Sequence, residues 1–162
     1  MTSIIIIALV VVLLAWGVGM QNKFVKLDEY CKNALKQINI QQISRYDALK
    51  ALVKLTRDYA SYESETLEKI VSARKITSAP APTVEQVNAN QSALNELAGR
   101  LIAVSERYPE LKANEQYRKT MDSVKEYEEN VRFSRMSFND TVTKYNKQVR
   151  MFPGSLVAGI LG

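Results

Sequence analysis

The sequence predicts an all-α protein: an N-terminal transmembrane helix followed by an elongated antiparallel four-helix bundle. Three observations predict it. Residues Ile4 to Met20 form an uninterrupted apolar run, and no charged side chain precedes Lys23. Beyond the run, aliphatic and aromatic residues recur at spacings of three and four, the period of a helix face. Runs of Val, Ile and Thr bounded by Gly-Asn turns, which would announce strands, do not occur. The chain divides into an anchor at 1–22, a helical bundle at 23–152 and an apolar tail at 153–162.

The anchor comes first. As a helix, Ile4 to Met20 spans roughly 25 Å, near the lower limit for crossing a hydrocarbon core of about 30 Å. Trp16 stands near one end, where an indole favours the membrane interface. A cleaved signal peptide is the competing reading, and Gly17-Val18-Gly19 offers small residues for cleavage. However, Met1-Thr2-Ser3 supplies no positive n-region, and the apolar run is longer than a usual signal core. The flanking charge lies on the C-terminal side, at Lys23, Lys26, Lys32 and Lys36 against Asp28 and Glu29. The positive-inside rule then puts the bulk of the chain in the cytoplasm. A single cysteine, Cys31, is consistent with that compartment. Ala15 and Gly19 are small enough for close helix packing in a bilayer, which allows a homo-oligomer.

The anchor helix should run on to about Ile38 through Phe24, Leu27, Cys31 and Ala34, with a break in Asn39-Ile40-Gln41-Gln42. A second helix is expected from Ser44 to Thr77, striped by Tyr46, Leu49, Val53, Ala60, Leu67 and Ile70 and ended by Ser78-Ala79-Pro80-Ala81-Pro82. Thr83 and Gln86 form a capping box for the third helix. Val87, Leu94, Leu97, Leu101, Val104 and Tyr108 give that helix its inner face, and Pro109 stops it. Asn114 caps the fourth, about Glu115 to Phe152 and roughly 55 Å long.

The seam of the fourth helix reads Tyr117, Met121, Val124, Glu128, Val131, Arg135, Phe138, Val142, Tyr145, Val149 and Phe152. Its two charged members, Glu128 and Arg135, should be at least partly buried, and each needs a partner on another helix, a water or a kink. Glu63 holds a similar seam position on the second helix, so a Glu63–Arg135 pair is expected. Counting helix directions returns Phe152 and the tail to the membrane side. Lys144, Lys147 and Arg150 would there face an anionic leaflet, with Leu156, Val157, Ile160 and Leu161 dipping into the interface. Alternatively, the tail folds back over an open end of the bundle.

Several motifs carry a family resemblance. The run Tyr108-Pro109-Glu110-Leu111-Lys112-Ala113-Asn114 is similar to the signature loop of LemA-family proteins. So are Arg45-Tyr46-Asp47, Glu63-x-Glu65-Thr66-Leu67, Glu128 with Arg135, Phe138-Asn139, Tyr145-Asn146 and the closing Phe152 to Gly162. The resemblance covers nearly the whole chain. It implies a bacterial membrane protein with an N-terminal transmembrane helix, an elongated antiparallel bundle and no established enzymatic activity. The chain departs from the family pattern at Lys50, Ala51, Tyr62, Glu129 and Asn130, where proline, asparagine, histidine, asparagine and arginine are usual. Those departures favour a structural role for the polar residues that remain.

Catalytic readings fail by composition. No histidine is present, which removes the usual general base and the histidine ligands of helical di-metal bundles. Cys31 lacks a second cysteine and falls on a seam, as a core thiol does. The net charge of +5 is spread among acidic residues, a pattern of solvated helix faces rather than of nucleic-acid binding. Asn139-Asp140-Thr141 matches a glycosylation sequon but lies mid-helix. No catalytic residue, cofactor or metal is expected. The reading is a scaffold or interaction protein of the bacterial cell membrane, with lipid and other membrane proteins as partners. The alternatives are an accessory subunit of a membrane protease or transporter and, last, a carboxylate-based metal-binding bundle.

Overall fold

A computed structural model of the chain describes residues 1–73, 76 and 81–161. The described secondary structure is all helical: α1 (Thr2–Thr56), α2 (Ser61–Ala73), α3 (Val84–Arg107), α4 (Pro109–Ala113), α5 (Glu115–Arg150) and α6 (Gly154–Leu161). The chain divides into two compact units, one of Met1–Ala34 with Ser137–Gly162 and one of Leu35–Met136.

The expected break at Asn39–Gln42 is absent, and α1 runs through it. Residues 20–56 contain neither glycine nor proline, so nothing in the backbone forces an interruption. Asn39 and Gln42 are buried within the helix rather than exposed in a loop, and Gln42 donates to Val87 and Gln91. The reversal comes instead after Thr56. There Tyr59 N and Ala60 N both donate to Thr56 O, at 3.1 and 2.8 Å, before α2 begins. The expected second helix is thus two helices. Its expected end at Thr77 and the break at Ser78–Pro80 lie outside the described residues.

Local caps set the later boundaries. Gln86 N donates to Thr83 Oγ1 at 3.2 Å while Thr83 N donates to Gln86 Oε1 at 3.0 Å, the reciprocal box that starts α3. Pro109 occupies the first turn of the short α4, where its missing N–H costs nothing. Asn114 Oδ1 then accepts from Tyr117 N at 2.9 Å and starts α5.

Within the Leu35–Met136 unit, hydrogen bonds fix the helix directions. Tyr46 Oη donates to Val71 O, which together with the turn after Thr56 sets α2 antiparallel to α1. Gln42 reaches Val87 and Gln91, and Arg45 reaches Asn95, so α3 runs parallel to α1. Tyr117 donates to Leu101 O and Arg135 to Asn88, so α5 returns antiparallel to α3. This is an up-down-up-down bundle. Leu49, Leu52, Leu94, Leu101 and Leu111 are fully buried at its centre. Each such leucine stabilises the fold by about 1.5–3 kcal/mol relative to exposure.

Within the other unit, Phe24 of α1 is buried and Gln148 Nε2 of α5 donates to Met20 Sδ at 3.6 Å. Gly154 opens α6 against the Gln148 carbonyl, leaving no room for a Cβ. Val157 packs inward from the next turn. Residues 4–14 of α1 are exposed along their whole length.

Candidate functional site

The main polar feature is a layer inside the Leu35–Met136 unit, to which three helices contribute. From α1, the Arg45 side chain is 2% exposed, which for a guanidinium demands partners. Arg45 Nη1 donates to Asn95 Oδ1 at 2.8 Å on α3, and Nη2 donates to Glu128 Oε2 at 3.1 Å on α5. One turn earlier, Gln42 Nε2 donates to Val87 O at 2.9 Å and to Gln91 Oε1 at 3.2 Å. Gln91 Nε2 in turn donates to Asn95 Oδ1 at 3.2 Å, joining the two groups into one network. Gln42 Oε1 and Arg45 Nε are buried without a partner among the described residues. Burial lowers the Arg45 pKa, and the nearby Glu128 carboxylate opposes that shift.

The expected polar residues all belong to this unit, but they are not connected as expected. Glu128 and Arg135 do lie on one face of α5, yet the Glu128 side chain is 52% exposed rather than partly buried. Its carboxylate leans over the bundle from the rim and reaches the buried cation. Arg135 donates to Asn88 of α3 instead of meeting Glu63. Glu63 faces the opposite end of α3, where Tyr108 Oη donates to it at 3.0 Å and Arg107 lies 3.9 Å away. The reason is the turn after Thr56: it pairs α2 with the C-terminal half of α3, far from the Asn88 end. That hydrogen bond, more than burial, raises the Tyr108 pKa.

Arg45 and Gln42 are the residues that sequence reasoning left out of the seam. The signal was present: Ile38, Gln42, Arg45, Leu49, Leu52 and Thr56 continue the three-and-four spacing of α1 without interruption. The two polar members obscured it.

The residues expected to face a membrane sit in the other unit. Trp16 is partly exposed among exposed aliphatic side chains. Lys23, Lys26, Lys144, Lys147 and Arg150 are all exposed, and among the described residues none makes an ion pair. The Lys26 ammonium lies 5.8 Å from the centre of the Tyr30 ring. Leu156 and Ile160 of α6 project outward, while Val157 is buried. Cys31 is half-buried, and burial together with the Asp28 carboxylate pushes its thiol pKa up, which disfavours the nucleophilic thiolate.

Among the described residues no three His, Cys, Asp or Glu side chains gather closely enough to hold a metal ion. What the polar layer does chemically is hold three helices in register: a forked guanidinium on α1 is read by an amide on α3 and a carboxylate on α5. One segment, in α1, is long and apolar enough to cross a membrane. No curated protein matches the chain. The family model of LemA matches residues 34–162, well over half of the sequence and including every residue of the polar layer. The chain belongs to the LemA family.

Proposed function

We propose that this chain is a membrane-anchored helical scaffold of the bacterial cell membrane, without chemistry of its own, whose bundle lies in the cytoplasm. One observation carries the reading. Ile4 to Leu14 project large apolar side chains that none of the described residues covers, on a helix that runs on to Thr56. An aliphatic surface of that size is stable in lipid and unstable in water. The family match begins at residue 34, so the anchor rests on these residues alone. The bundle supports a docking role through its exposed faces of Lys, Glu, Gln and Asn, and its polar layer is occupied in holding helices together.

The test has two arms. Full-length protein should remain with membranes through alkaline carbonate extraction; release into the supernatant refutes the anchor. In a Cys31→Ser background, a cysteine at Lys119, whose side chain is 69% exposed, should react with a membrane-impermeant maleimide only after permeabilisation. Labelling in intact cells refutes the cytoplasmic placement. Cross-linking in cells before detergent extraction then identifies the partner. Stoichiometric recovery of a membrane protease or transporter, with altered activity when this chain is deleted, would replace the scaffold by an accessory subunit.

A further inference from the structure

The tail helix α6 has two unlike faces. Gly154 and Val157 are buried against the unit, and Gly154 lies so close to Gln148 and Phe24 that α6 begins beside α1. The opposite face carries Ser155, Leu156, Gly159 and Ile160, and no charge. Leu156 is 57% exposed and Ile160 84%, and Met151 and Phe152 just before the helix are exposed as well. Packing has therefore used one face and left an apolar one open. Its position along α1 is fixed within the unit: Gln148 donates to Met20, the last residue of the apolar run, and Phe24 is one turn beyond. So α6 starts at the level where the apolar segment ends. Charge follows the same plan. Residues 141–162 contain Lys144, Lys147 and Arg150 and no acidic residue, and residues 1–27 contain Lys23 and Lys26 and none either.

We propose that α6 is a second membrane contact, lying in the headgroup layer of an anionic leaflet beside the anchor. Met151, Phe152, Leu156 and Ile160 insert, while Lys144, Lys147 and Arg150 meet lipid phosphate. The occupant is lipid rather than protein on two grounds. An eight-residue helix offers much less than the roughly 800 Å² per partner of a standard protein interface. A flat anionic surface matches an apolar face preceded in the chain by exposed cations that make no ion pair among the described residues, and interfacial helices bind through that combination. The proposal rests on the anchor reading above, since it takes the end of the apolar run as the membrane boundary.

The experiment uses the full chain in liposomes of phosphatidylcholine, with and without phosphatidylglycerol, doped with nitroxide-bearing lipid. In the Cys31→Ser background an environment-sensitive fluorophore is placed singly at Ser155→Cys on α6, at Val10→Cys in the apolar run, or at Lys119→Cys in the bundle. The expected result is nitroxide quenching at 10 in both lipids, quenching at 155 that rises with anionic lipid, and none at 119. Changing Lys144, Lys147 and Arg150 to Gln should lower the docked-to-undocked ratio at 155 about fivefold per charge removed. Leu156→Ser with Ile160→Ser should abolish the signal at 155 while leaving position 10 quenched. These side chains are exposed, so neither set threatens the fold. An unquenched probe at 155 with a quenched one at 10 overturns the proposal alone. Probes unquenched at both positions overturn the anchor reading as well. A probe at 155 shielded from water but not quenched by lipid nitroxide shows a protein cover, and also overturns it.

Discussion

The ion pair at the centre of the bundle is lopsided, and the asymmetry dictates what each truncation does. The Arg45 side chain is 2% exposed and that of Glu128 52%. Removing the carboxylate with Glu128→Ala leaves a desolvated guanidinium with one partner, Asn95. Breaking a fully buried pair costs about 3–5 kcal/mol, and water entering where the carboxylate stood puts this case near 3 kcal/mol. Removing the cation with Arg45→Met is milder. Glu128 turns to solvent, Gln91 still donates to Asn95, and the methionine fills much of the stem volume. That substitution should cost about 1 kcal/mol. Once the cation is gone the carboxylate is nearly dispensable, so the double variant should regain about 2 kcal/mol over Glu128→Ala. Hydrogen exchange of the α3 amides in the intact chain, in nonionic detergent, reads the effect locally, with urea denaturation as a second measure. If Arg45→Met destabilises as much as Glu128→Ala, or the double variant is worse than both, the account of a buried cation steadied from the rim is wrong.

Three further outcomes follow from the same geometry. Leu101→Ala, at a fully buried position, should cost about 2–5 kcal/mol by the same denaturation measurement. Gly154→Ala would push a methyl group into the Gln148 carbonyl and against Phe24; exchange should accelerate across 154–161 while α3 protection stays unchanged. The phenols of Tyr46 and Tyr117, raised by burial, and of Tyr108, raised first by its bond to Glu63, should titrate later than free tyrosine in an ultraviolet pH titration. The folded state then holds more protons than the unfolded state between the ordinary phenol pKa of about 10 and the raised values. Stability should therefore fall as pH climbs through that window and be fully present below it. Phe in place of Tyr117 should blunt the fall.

Much of the fold is legible in the sequence, because caps and seams are local. Thr83 with Gln86, Asn114 before Glu115, and the α5 stripe through Val124 and Val131 stand where pattern and capping chemistry put them. The turn after Thr56 was hidden for a physical reason. Val53, Ala60 and Leu67 are seven apart on either side of it, so the stripe keeps its phase through the reversal. Asn39 and Gln42 misled in the opposite sense: amides buried within a helix, one of them donating to a distant partner, have the composition of a loop. The polar layer was half legible. Glu128 and Arg135 announced themselves by charge in an apolar seam, but their partners, Arg45 on α1 and Asn88 on α3, are set by how the helices pack. No spacing along α5 encodes that.

The bonds from α1 to its partners are distant in sequence, and this orders events during synthesis. Gln42 meets Val87 across 45 residues, and Arg45 meets Glu128 across 83. At about 5–20 residues per second, roughly 4–17 s separate the making of Arg45 from that of Glu128. By the end of that interval the apolar run has left the ribosome, and until then the cation that follows it has no carboxylate to pair with. On the proposed anchor reading, insertion into the bilayer therefore has a head start on closure of the bundle. By the order in which the ribosome releases these segments, that reading makes attachment the first step and assembly the second.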